Sequence, residues 1–193
     1  MDDHAIIAAC AKGDSHALRS LHERHARAAY TFALRLLGNP ADADDAVAEA
    51  FYEVWRSASK FANRSSVRTW ILGIVRHKAL DLLRARGARA EEAIDDALTD
   101  TLVDPGPTPF EWLAEHQTWE MVDRCMQALP VPQRESLHLF LLEGLSLQQI
   151  AQLQGVPDNT VATRIHHAKR KLKLCLTEAL GLKKVSPKAD SVL

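Results

Sequence analysis

Residues 144–173 read GLSLQQIAQLQGVPDNTVATRIHHAKRKLK, and the angular placement of their side chains decides the fold of the second half of the chain. On a helix of 3.6 residues per turn, Val161, Ile165, Ala168 and Leu172 recur at i, i+4, i+7 and i+11 and form one narrow stripe for packing. Thr160, Thr163, Arg164, His167 and Lys171 fall on a second stripe about a third of a turn away, left for polar contacts. Upstream, Leu147, Ile150, Ala151 and Leu153 mark a shorter helix. Ser146 is placed as its N-cap, with Gln149 three residues on to close a capping box. Gly155 supplies the sharp turn and Pro157 stands near the next helix start, where a missing N–H is harmless. The pattern is a helix-turn-helix. A corner inside a helical bundle shares that spacing, but Arg164 to Lys173 carries five Arg or Lys and no acid, which suits a helix facing phosphate.

Working outward, charge is segregated along the 193 residues although the formal net charge is only -1. Arg56 to Arg89 holds nine basic residues against the single acid Asp81, and Glu91 to Glu120 holds nine acids and no Arg or Lys. Opposed blocks of this kind predict separate contact surfaces, with solvated faces as the plainer alternative.

Helical patterns fill the first part. They predict a helix over 4–12, another over 15–37 ending at Gly38, and a third opened by Asn39 as N-cap and Pro40, running to about Ser59. On the third, Ala43, Val47, Ala50 and Val54 line an apolar side, and Asp42, Asp45, Glu49 and Glu53 form an acidic stripe nearly opposite. A fourth, the most apolar, starts after Ser65 or Ser66 and runs to Gly87 as the centre of its domain. Residues 88–108 change texture to acids and the DPGPTP run, and read as a flexible linker. Thr108, Pro109 and Glu111 restart a helix reaching Leu129, followed by one opened by Pro132 that runs to about Glu143. The fold class expected is all-α, with two small helical domains, 1–87 and 109–181, joined by that acidic linker and followed by a tail over 182–193. The second carries the helix-turn-helix.

Other chemistries find little support. Cys10, Cys125 and Cys175 are odd in number and widely spaced, so neither a disulfide framework nor a thiolate zinc site is expected, and a reducing cytoplasm fits. No run approaches a membrane span and MDDHAII has no basic leader, so no membrane insertion is expected. His16, His22 and His25 lie close in sequence but lack a partner set with ligand geometry, so no metal and no cofactor is expected. No phosphate-binding loop, dinucleotide fingerprint or nucleophile triad is visible, so neither a catalytic site nor a small-molecule substrate is expected.

With these pieces in order, the chain resembles the extracytoplasmic-function (ECF) group of bacterial sigma-70 type sigma factors. DADDAVAEAFYEVWR resembles the family's core-polymerase-binding helix and FANRSSVRTWILGIVRHKALDLLR its minus ten recognition and melting segment. LPVPQRESLHLFLLEGLSLQQIAQLQGVPDNTVATRIHHAKRKL resembles its minus thirty-five domain. The resemblance implies that Asp42, Asp45, Glu49 and Glu53 meet core RNA polymerase. It implies that Phe61, Asn63, Arg64, Ser65, Ser66, Arg68, Trp70, Arg76, His77 and Arg84 meet minus ten promoter DNA, where a flipped base needs polar, aromatic and cationic neighbours. Thr160, Thr163, Arg164, His167 and Lys171 would meet minus thirty-five DNA, with Arg164 the foremost base-contact candidate. Ala162 and His167 stand where relatives often carry Arg, which lowers the expected phosphate affinity of this helix. The resemblance also implies an anti-sigma factor as partner and a cytoplasmic location. The rival reading is a stand-alone helix-turn-helix regulator, which leaves the acidic third helix and the arginine-flanked fourth without a role.

Overall fold

The computed structural model describes residues 2–85 and 116–180. Within them the chain forms α1 (Asp3–Cys10), α2 (Ser15–Leu37), α3 (Pro40–Ser57), α4 (Val67–Ala85), α5 (His116–Gln127), α6 (Val131–Leu141), α7 (Leu147–Gln154) and α8 (Asp158–Ala179), with a 3-10 turn at Ala58–Lys60. No strand occurs among the described residues. The fold is all-α. The linker at 88–108, the Thr108–Glu111 capping box and the tail at 182–193 lie outside the described residues.

Local signals place the first helices. Asp14 Oδ1 accepts from the backbone N–H groups of His16 and Ala17 to open α2, and Gly38 closes it in the left-handed conformation at φ 68°. Asn39 then caps α3, its side-chain oxygen accepting from the Asp42 N–H at 3.2 Å, with Pro40 in the first turn. These caps satisfy N–H groups that have no partner inside their helix. Helix α1 stops two residues short of the expected 12, and the last turn expected of α3 is the tighter 3-10 turn.

Two groups of helices pack side by side. In the first, α2, α3 and α4 bury Leu21, Phe32, Leu36, Ala43, Ala50, Val54, Ile71, Leu72 and Val75, and α1 lays Ile6 and Ile7 on them. Asp3 fastens α1 to α2 through Arg24 at 2.9 Å and the buried His25 at 2.8 Å. In the second, α6, α7 and α8 bury Leu137, Leu139, Ile150, Val161, Ile165, Ala168 and Leu172. Each of the four stripe residues assigned to packing on α8 is in that core. The capping box of α7 is complete in both directions, and Gly155 adopts φ 70° at the turn into α8.

The expectation about the cysteines fails. Cys125 and Cys175 form a disulfide, with Cα atoms 5.8 Å apart and fifty residues between them in sequence, while Cys10 is free and buried. Spacing in the chain could not reveal this, because the two cysteines meet only where α5 packs on α8. No helix among the described residues is long and apolar enough to cross a membrane.

Candidate nucleic-acid interface

The segment between α3 and α4 turns at Asn63, the one described non-glycine residue with positive φ, at 55°. Asparagine tolerates that conformation better than most side chains. Ser66 then starts α4, its Oγ accepting from the Thr69 N–H at 3.1 Å and sharing a 2.9 Å hydrogen bond with Thr69 Oγ1. Phe61 and Trp70 are brought together, ring centroids 5.0 Å apart, both half-buried at the edge of the core. Arg64 and His77 are exposed, and so is Arg84, which pairs with Asp81 one turn away. Phe61 and Trp70 thus form an aromatic shelf beside Asn63 and Arg64 at the start of α4, whereas Arg84 stands in the last turn of that helix, at its other end.

One participant has no signal in the sequence. His4, exposed on α1, donates from Nδ1 to Asn63 Oδ1 at 2.9 Å, and its ring lies 5.8 Å from that of Phe61. Fifty-nine residues separate His4 from Asn63, so only the packing of α1 beside the 3-10 turn makes them neighbours.

On α3, Asp45 and Glu49 are exposed and Glu53 is half-exposed. Asp42 departs from the expected exposed stripe: it is 9% exposed, in the first turn of α3 and on the side of the stripe next to the buried Ala46. The acidic surface therefore begins at Asp45. Glu49 is 3.5 Å from Lys78 of α4.

In the second group, Thr160, Thr163 and His167 are half-exposed and Lys171 is exposed. Thr163 spends its hydroxyl on the Asn159 carbonyl at 2.9 Å. Arg164 is turned back toward its own domain, donating to Gln154 Oε1 at 3.1 Å across the helix-turn-helix.

Sequence comparison decides the family. The Sigma-70 region 2 model matches residues 21–89 and the Sigma-70, region 4 model matches residues 119–172. SigC of Mycobacterium tuberculosis, an ECF RNA polymerase sigma factor, is 32% identical over 179 residues, covering 87% of this chain and 89% of its own. The chain belongs to the ECF group of sigma-70 family sigma factors. It is also 31% identical to SigE of Mycolicibacterium smegmatis over 84% of its length, spanning 64% of that longer protein. Among solved structures, RpoE of Bartonella quintana, in complex with the anti-sigma factor NepR, matches with TM-score 0.64 at 19% identity over 86% of this chain and 98% of that one. CnrH, in complex with the cytosolic domain of CnrY, matches with TM-score 0.66 at 24% identity over 91% and 97%. Both are likenesses of fold.

Two of the sigma factor's α4 arginines do not face solvent freely. Arg68 donates to Glu143 Oε2 from Nη2 at 2.6 Å and from Nε at 2.7 Å, and Arg76 donates to Glu135 on α6. Both carboxylates belong to the second helical group. Burial pushes the Glu135 carboxyl up, against the pull of Arg76, Gln154 and Arg164. Burial also opposes the charge on Glu143, but there His138 and Arg68 prevail and hold the carboxyl below its ordinary range. Sequence patterns could not distinguish these glutamates from surface acids.

Proposed function

We propose that this chain is a promoter-specificity subunit with no catalytic site of its own, which binds core RNA polymerase and directs it to a promoter set by recognising and melting DNA. The reading is carried by one observation: the region 2 and region 4 matches stand in order in a single chain, over 21–89 and 119–172. It assigns residues 1–87 to core binding and the minus ten element, 88–108 to a linker and 109–181 to the minus thirty-five element.

Within that frame, Asp45, Glu49 and Glu53 meet a basic surface on core, where opposite charge steers encounter and sets register, and the buried Asp42 takes no part. Phe61, Asn63, Arg64, Ser65, Ser66 and Trp70 receive an unstacked base. Stacking on an aromatic face is worth about 1 to 3 kcal/mol per base, comparable with the few kcal/mol that unstacking costs, so melting needs no nucleotide-driven motor. Arg68, Arg76, His77 and Arg84 lie along the flanking strand. Thr160, Thr163, Arg164, His167 and Lys171 address the major groove, with Arg164 reading a base once released from Gln154. The site of action is the cytoplasm, and a protein of anti-sigma type holds the factor in reserve.

The test is runoff transcription with purified core on a genomic fragment library. Discrete transcripts that require this chain are expected. Failure to associate with core, or association without any specific start, overturns the reading. Tight duplex binding in a gel shift without core would instead mark a stand-alone regulator.

A further inference from the structure

We propose that Asn159, in the first turn of α8, reads an adenine of the minus thirty-five element through its side-chain amide. This rests on the reading of α8 as the helix that enters the major groove, and adds to it a residue and a base.

The outward face of α8 is set by the stripe that packs. Val161, Ile165, Ala168 and Leu172 are buried. At about 100° per residue, Asn159 and Thr163 lie about 150° and about 170° from the centre of that stripe, on the far side of the helix. Arg170, exposed, falls on the same line two turns beyond Thr163. Arg164 lies only about 70° from the stripe centre. That flank position is why its guanidinium reaches Gln154 on α7 at 3.1 Å. The face directed away from the core therefore begins with an amide.

That amide is available. Asn159 is exposed, its backbone carbonyl accepts from Thr163 Oγ1 at 2.9 Å, and among the described residues nothing takes up its side chain. A side-chain amide donates from Nδ2 and accepts at Oδ1 in one plane. In the major groove adenine presents the matching pair, N6–H as donor and N7 as acceptor. Guanine presents two acceptors, cytosine a donor, and thymine an acceptor beside a methyl group, so adenine alone engages both atoms of the amide.

Charge along α8 divides holding from reading. The exposed cations Arg170, Lys171 and Lys173 begin about 16 Å beyond Asn159 along the helix axis. Attraction for phosphate is concentrated there. At the other end, Asp158 stands in the first turn, and its carboxylate opposes a phosphate where the helix dipole would otherwise draw one. The N-terminal turn of a recognition helix is the part that meets base edges, and here it offers a neutral amide with no cation beside it. Base identity at this position is thus read by hydrogen bonding, while the distant cations set affinity.

The experiment is runoff transcription with purified core and the full chain on promoters randomised through the minus thirty-five element, using wild type, Asn159→Ala and Asn159→Asp. Thermal melting checks that each variant folds, and alanine is well tolerated in an exposed helical turn. Wild type is expected to favour adenine at one position by about tenfold, and Asn159→Ala to lose that preference there alone. Asn159→Asp, which replaces the donor by a second acceptor, should shift the same position toward cytosine. On the wild-type chain, 7-deaza-adenine is then placed at each favoured adenine in turn, which removes N7, and at one of them transcription should fall several-fold. An unchanged base profile with Asn159→Ala, or a lost preference for a base other than adenine, overturns the proposal. Insensitivity of wild type to 7-deaza-adenine at every position does so whatever the variants do. Absence of transcripts from the whole library defeats the sigma assignment itself, whereas transcripts indifferent to residue 159 defeat only the role of Asn159.

Discussion

His4 on α1 donates to the side-chain oxygen of Asn63 at 2.9 Å, tying the first helix to the one described non-glycine residue held at positive φ. The bond fixes the amide that the proposed function points at a flipped base. His4→Ala should leave the helical content intact and slow open-complex formation several-fold, since an exposed hydrogen bond contributes about 0.5 to 1.5 kcal/mol. Asn63→Gly, which keeps the backbone conformation but removes the amide, should lose more. The readout is 2-aminopurine fluorescence at the minus ten element, and equal rates for wild type and His4→Ala would remove the role.

The acidic surface of α3 predicts a polymerase defect without a folding defect. Asp45→Lys with Glu49→Lys reverses two exposed charges, and association with core should fall about tenfold or more at low salt, with a smaller loss at high salt. Unchanged affinity by fluorescence anisotropy would take the surface out of the interface.

Gly38 is constrained twice. Its φ is 68°, and an added Cβ would meet Gln127 Oε1 at 3.1 Å. Gly38→Ala should therefore destabilise the protein by about 1 to 2 kcal/mol through left-handed strain and crowding of the α2 end. Thermal melting measures this, and a neutral effect would mean that neither the left-handed conformation nor the Gln127 contact constrains this position.

Acid should loosen the contact between the two helical groups through His138. Burial pushes its imidazole below the ordinary range, with Arg35 and Arg68 adding to that effect and Glu143 opposing it. A histidine kept neutral in the packed state contributes stability that is full above its ordinary value near 6.5 and is lost as pH falls below it. Glu143, with a lowered carboxyl, has the same sign at more acid pH, whereas Glu135, with a raised one, has the opposite sign. The expected outcome is a separation between labels at the exposed positions Glu23 and Lys173 that lengthens between pH 7.5 and 5.5 in wild type and less so in His138→Leu; identical profiles would exclude His138 as the cause.

The Cys125–Cys175 bond closes a fifty-residue loop. In the chain-entropy account, a loop of that length is worth up to about 4 kcal/mol. Reductant, or Cys125→Ser, should lower the melting temperature by several degrees, and insensitivity to both would show that packing of α5 on α8 suffices without the bond.

Much of the fold was legible because its determinants are local. Asn39, Pro40, Gly38, Ser146, Gln149 and Gly155 act within a turn of where they stand, and the stripe Val161, Ile165, Ala168 and Leu172 follows from helix period alone. Phe61 and Trp70 were named singly, through the resemblance, and the exposed Asp45 and Glu49 were visible on the helix period, but the packing of the two rings on each other was not. Asp42 was misjudged because it lies at the margin of the acidic stripe, next to the buried Ala46, where helix period alone does not decide exposure.

By itself, then, the order of residues determined eight helices among the described residues, their caps, their buried faces and a family resemblance that the comparisons bear out. Only tertiary packing decided that His4 meets Asn63, that Cys125 meets Cys175, and that Arg68 and Arg76 meet Glu143 and Glu135. Helix period and capping act over a few residues, so a sequence records them. These pairings join residues 50 to 75 positions apart, and their partners become neighbours only when whole helices dock.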